Sequence, residues 1–125
     1  MGGDLWTVPF AGGTAVDKTP DYKASLSSLI WRRSALFATA IVGDNNAVLT
    51  LDPATGATKT LLSGPVTFMA GDGRVSISRD GKLLAGVTED FTTPPHIGAG
   101  PIAKPRQITH ENDALAPQVT ARSIH

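Results

Sequence analysis

Residues 74–88 (RVSISRDGKLLAGVT) hold two short runs of alternating apolar and polar side chains, with Arg79-Asp80-Gly81-Lys82 between them. Val75 and Ile77 fall on one side of the first run, Ser76 and Ser78 on the other. That period of two marks a strand with one buried face. Leu83, Leu84, Ala85 and Val87 make a second, more apolar strand. Asp-Gly between such runs predicts a tight type I′ hairpin, because both residues tolerate positive φ. The pattern occurs twice. At an offset of 47 residues, Ile30, Arg32, Leu36 and Ala38 stand where Ile77, Arg79, Leu83 and Ala85 stand later, and Leu61 falls on Ile108 at the end of the unit. A structural repeat of this length stacks on its neighbours to complete a core.

The rest of the composition agrees with a β chain. In a chain of 125 residues, 13 Gly and 9 Pro fall between the apolar runs, as frequent turns require. Net charge is zero, with 11 basic and 11 acidic residues spread along the sequence. No basic stripe points to nucleic acid or to an anionic membrane, and neither is expected as a partner. The absence of Cys excludes disulfides, thiolate nucleophiles and Cys-type zinc sites. It suits the cytoplasm, the expected location. The longest apolar run, residues 35–42, is far too short to span a bilayer, and the N-terminus lacks the basic-then-apolar pattern of a signal peptide.

The punctuation predicts an all-β fold, and the 47-residue period, near that of four-stranded propeller blades, suggests a partial β-propeller of about two four-stranded antiparallel blades plus one strand of a preceding blade. Residues 1–24 hold that strand (4–10), with nothing earlier to pair with it, and a connection. Residues 25–64 form the first complete blade, with strands at 29–33, 35–42, 47–51 and 58–62. Gly43-Asp44-Asn45-Asn46 joins the second to the third. Asp52-Pro53-Ala54-Thr55-Gly56 joins the third to the fourth as a type I turn with Gly56 at positive φ in its exit. Residues 65–112 form the second blade. Residues 66–73 cross over, with Phe68 and Met69 packing, and strands follow at 74–79, 83–88, 96–102 and 106–109. Residues 113–125 read as a tail. Ile30, Leu36, Ile77 and Leu83 are expected to pack between the repeats, leaving both outer faces without a partner.

Each candidate for chemistry has a plainer explanation. A hydrolase nucleophile needs a strained G-x-S-x-G elbow, and no such pentapeptide occurs. Ser63 follows Leu61-Leu62, Ser78 sits in a strand, and the histidines are His96, His110 and His125. His110-Glu111-Asn112-Asp113 is the densest polar knot. It lacks the spacing of a zinc helix or a calcium loop and suits a turn closed by its own side chains. Gly98-Ala99-Gly100 has no third glycine and no following helix, so it reads as a strand needing close backbone approach, not a dinucleotide loop. Trp6 and Trp31 could stack a sugar or a base but suit core anchors. No catalytic, cofactor-binding or metal-binding residue is assigned.

Taken together, these segments resemble a known family. They are Leu5-Trp6-Thr7-Val8-Pro9 with Gly12-Gly13, Ile30-Trp31, Ala47-Val48-Leu49-Thr50-Leu51-Asp52 with Thr55-Gly56, and Ser78-Arg79-Asp80-Gly81-Lys82-Leu83-Leu84-Ala85. Pro94-Pro95-His96-Ile97 and Arg106-Gln107-Ile108-Thr109-His110-Glu111-Asn112 complete the set. The chain resembles the later blades of the β-propeller domain in the prolyl oligopeptidase family of serine peptidases, of the dipeptidyl and acylaminoacyl peptidase type. The S-x-D-G-K-x-L-A hairpin is shared with many propellers, including the TolB type. The last two segments are more particular to the peptidases. The resemblance implies a non-catalytic part. In the family, the propeller restricts entry of short peptides to an active site whose serine, aspartate and histidine lie in an α/β-hydrolase domain. None of the three maps onto a residue here. The implied partners are the remaining blades and that domain. The alternative is a free-standing propeller-like binding or scaffold module that self-assembles or binds a protein.

Overall fold

The computed structural model describes residues 3–68 and 74–115. The described residues are all-β apart from a short 3₁₀ turn at Asp113–Leu115. Strands β1 (Trp6–Thr7) and β2 (Val16–Asp17) pair as a small antiparallel hairpin. Strands β3 (Ser25–Arg32), β4 (Ala35–Val42), β5 (Asn45–Leu51) and β6 (Thr58–Gly64) form a four-stranded antiparallel meander in sequence order. In the second sheet, β7 (Thr67–Phe68) and β8 (Ser76–Ile77) both pair with one edge of β9 (Leu83–Glu89). Strand β10 (His96–Pro101) lies along its other edge, and β11 (Arg106–Gln107) follows. Neither sheet closes on itself among the described residues.

Turn chemistry explains the boundaries. Val42 pairs with Asn45, leaving Gly43-Asp44 as a two-residue connection. Gly43 sits at φ 59 and Asp44 does not have positive φ, the pattern of a type II′ turn with Gly first. The Asp80-Gly81 hairpin differs from the type I′ expectation. Only Gly81 has positive φ (73), Ser78 N–H donates to Leu83 O (2.9 Å), and residues 79–82 make a four-residue loop. The N-terminal strand is shorter than residues 4–10, because Pro9 O accepts the N–H of Gly12 (2.9 Å) and the chain turns there. Its partner is β2, inside the stretch expected to be a plain connection. Part of the expected crossover, Thr67–Phe68, is itself strand. Met69 and residues 116–125 lie outside the described residues.

The first sheet is the middle layer, and both of its faces are covered. On one face Leu36, Ala38, Ala40, Leu49 and Leu51, with Leu26 of β3, pack with Leu5, Tyr22 and Ala24 from the N-terminal segment. On the other, Phe37 and Val48 pack with Phe68, Ile77, Leu84 and Ile102 of the second sheet. This double coverage accounts for the unbroken burial of residues 36–40. Arg32 ties the layers, its Nε–H donating to Ile77 O at 2.6 Å.

The inter-sheet layer corrects the expected packing. Ile30 and Ile77 are in it, but Leu36 points back to the N-terminal segment and Leu83 is 50% exposed. Phe37 and Leu84 take their places. The pairs Ile30–Phe37 and Ile77–Leu84, matched at the 47-residue offset, therefore face one another. Two sheets stacked in the same orientation would instead direct matched residues the same way. Ile77–Leu84 thus occupies the place that Trp31–Leu36 holds in the first sheet. The reason lies in the turns. Arg33-Ser34 is a two-residue turn, whereas residues 79–82 make a loop of four, one extra residue per strand. A one-residue slip exchanges the faces of a strand.

Candidate functional site

The two segments most particular to the family resemblance meet at one corner of the second sheet. Ile108 N–H donates to Ile97 O (2.8 Å), and Ile97 N–H donates to Thr109 Oγ1 (2.8 Å). Asn112 Nδ2 donates to Pro95 O (2.7 Å). Gln107 Nε2 reaches both Thr109 O (2.8 Å) and Asp113 Oδ1 (2.7 Å). His110 Nδ1 and Asp113 Oδ2 are 2.9 Å apart. The His110 and Gln107 bonds hold the Asp113 carboxyl below the usual carboxylate range. Residues 94–97 and 107–113 are thus one bonded unit.

His96 stands between this corner and the inter-sheet layer. Its Nδ1 lies 3.0 Å from Pro94 O, which can only accept, so Nδ1 carries the proton. Its Nε2 lies 3.0 Å from the hydroxyl of buried Thr88. Both ring nitrogens are hydrogen-bonded, which fixes the orientation of the imidazole between the loop and β9. Beside it opens a cleft of about 320 Å³, lined by Leu62, Val66, Phe68, Thr88, His96 and Gln107 among others. The cleft lies beside Gly98, where the inner face carries no side chain. A Cβ at Gly98 would come 3.0 Å from Thr88 Oγ1 and disturb the His96 bond.

The other candidates do not converge on this corner. Ser63 is exposed on β6, in the other sheet. Ser78 is used by its own turn: its hydroxyl donates to Asp80 Oδ1 (2.6 Å) and accepts the N–H of Leu83 (2.9 Å). The Ser78 bond, then the Lys82 backbone N–H, lowers the Asp80 pKa. That turn lies at the opposite end of the sheet from His110. His125 is outside the described residues. Gly98-Ala99-Gly100 is strand β10, paired with residues 84–86. Trp6 and Trp31 are 59% and 56% exposed, so neither is the core anchor expected. No group of three or more potential metal ligands occurs among the described residues. No helix among them is long and apolar enough to cross a membrane.

Sequence reasoning missed Thr88, Thr109 and Asn112 as the residues that close the corner. Their signal was present only as polar residues at strand ends near Pro94-Pro95, a place where side chains commonly satisfy backbone groups. No protein-family model and no curated protein matches this chain.

Proposed function

We propose that the chain is a non-catalytic part of the β-propeller domain of a serine peptidase of the prolyl oligopeptidase family. Residues 25–64 and 65–112 are two successive blades, and residues 1–24 belong to the edge of a preceding one. The observation that carries the reading is the bonded corner. Pro95, His96 and Ile97 are joined to residues 107–113 by direct hydrogen bonds, and these are the segments on which the resemblance is most particular. Two meanders stacked through a single apolar layer, with the strand order repeated, support it as well.

On this reading the work of the chain is packing. A parent enzyme would hydrolyse short peptides in its α/β-hydrolase domain, and the propeller would restrict access to it. The outer face of the second sheet, with Leu83 and Ile108 exposed, would seat the next blade. In the isolated chain it would favour self-association.

Two measurements test the reading. The isolated chain, given an activated ester and proline-containing peptides, is expected to show no turnover. Turnover abolished by a serine-directed phosphonate would overturn the non-catalytic assignment. The coding sequence on either side is expected to hold further repeats upstream and a G-x-S-x-G elbow downstream. A frame closed at this length would favour the free-standing binding or scaffold module.

A further inference from the structure

The charges sum to zero and are spread along the sequence, but the strand register sorts them by sign. The turns at one end of the two sheets are Arg33-Ser34, residues 52–57, residues 79–82 and residues 102–105. They lie together. A Cβ at Gly81 would come 3.0 Å from the Phe37 ring, and Ile102 N–H donates to Lys82 O (3.1 Å). This end exposes Arg33, Arg79, Lys82 and Lys104. Its acids, Asp52 and Asp80, bond within their own turns but stay charged, so they offset part of this positive charge.

The opposite end carries the acids. Asp44 sits in the β4–β5 turn, Glu89 and Asp90 lead out of β9, and Glu111 and Asp113 follow β11 beside Pro95. Lys23, just before β3, and Arg74, just before β8 and beside Gly86, are cations toward this end. Each end also exposes large apolar side chains beside its charges. Trp31 (56%) flanks the basic turns, and Ile41 (45%), Phe91 (54%) and Leu115 (70%) flank the acidic ones. Interfaces combine such apolar anchors with a charged rim.

We propose that the basic turn end of one molecule docks on the acidic end of a second copy. The occupant follows from charge complementarity: the surface opposite in sign to the basic end, and likewise carrying exposed apolar side chains, is the other end of the same chain. The contact is heterologous, so it propagates into a ring or an open row. The summed field of each end steers the encounter, while a single surface ion pair contributes little. This proposal does not rest on the peptidase reading. It also differs from stacking through the outer face of the second sheet, which is apolar.

Sedimentation equilibrium across a salt series tests it, supported by paired charge reversals. Screening shortens from about 30 Å at 0.01 M salt to about 3 Å at 1 M. The association constant is expected to fall by about tenfold or more over that range. The variants R79E/K82E/K104E and E89K/E111K are each expected to stay monomeric at low salt, and an equimolar mixture of the two to associate again. Lys82 and Lys104 hydrogen-bond through their backbone groups in these turns. If a multiple variant fails to give the wild-type circular dichroism spectrum, the single reversals Lys82→Glu and Glu111→Lys are compared in the same way. Association that grows with salt and ignores the reversals would overturn the proposal in favour of face stacking. A monomer at low salt would also overturn it. So would a basic end that binds polyglutamate without any self-association, which would assign this surface to an acidic partner instead.

Discussion

Ser78 holds its turn with one hydroxyl. Donating to Asp80 and accepting from Leu83 N–H, it closes the loop that sets which residues of β8 and β9 face the first sheet. Ser78→Ala is expected to lower the unfolding free energy by about 0.5–1.5 kcal/mol, the usual net worth of such bonds, measured by urea denaturation. Gly56 is a stricter constraint. It sits at φ 78, and a Cβ there would run into the backbone carbonyl of Lys18. Gly56→Ala is expected to cost about 1–3 kcal/mol from the backbone strain alone. It should also free the N-terminal segment, which shows as faster amide exchange at Leu5 and Lys18, each bonded to that segment. The positive φ of Gly56 was legible from the D-P-x-T-G turn. The Lys18 contact was not, since it joins residues far apart in the chain.

The connecting turns depend on aspartates. Asp52 and Asp90 accept backbone N–H or hydroxyl bonds from residues two to three positions on, and Asp80 from Ser78 before it and Lys82 N–H after it. For Asp90, burial pushes the carboxyl pKa up, but the bonds from Thr92 and Thr93 outweigh it and the net direction is down. Asp52 and Asp80 are also lowered, chiefly by the Thr55 and Ser78 hydroxyls. A carboxyl with a depressed folded-state pKa stabilises fully above its unfolded value, about 3.9. The stabilisation is lost as pH falls through the folded-state value. The urea midpoint is therefore expected to stay level above about pH 5 and to decline below about pH 4. Asp90→Asn should flatten the decline. The positions of these turns were readable from Asp, Pro and Gly. The span of residues 79–82 was readable too, but not its geometry: Asp-Gly suggested a type I′ turn, and only Gly81 takes positive φ.

At the scale of the molecule, the sequence allowed two antiparallel meanders and a shared core to be read, and most strand bounds came within a few residues. It did not reveal which face of each repeat meets the other, since a match at a fixed offset is silent about a slip of one residue. Nor did it show the sorting of charge to two ends, which depends on strand register. One apolar layer joins the sheets, and the second sheet's other face is open. Leu83 and Leu84 are neighbours on opposite faces, 50% and 1% exposed. The direct test is the urea midpoint of Leu83→Lys against that of Leu84→Lys. The first is expected within about 0.5 kcal/mol of wild type, as for a surface position. The second, a charge placed in the layer without a partner, should cost several kcal/mol or prevent folding. Equal losses, or the larger loss at Leu83, would contradict the account.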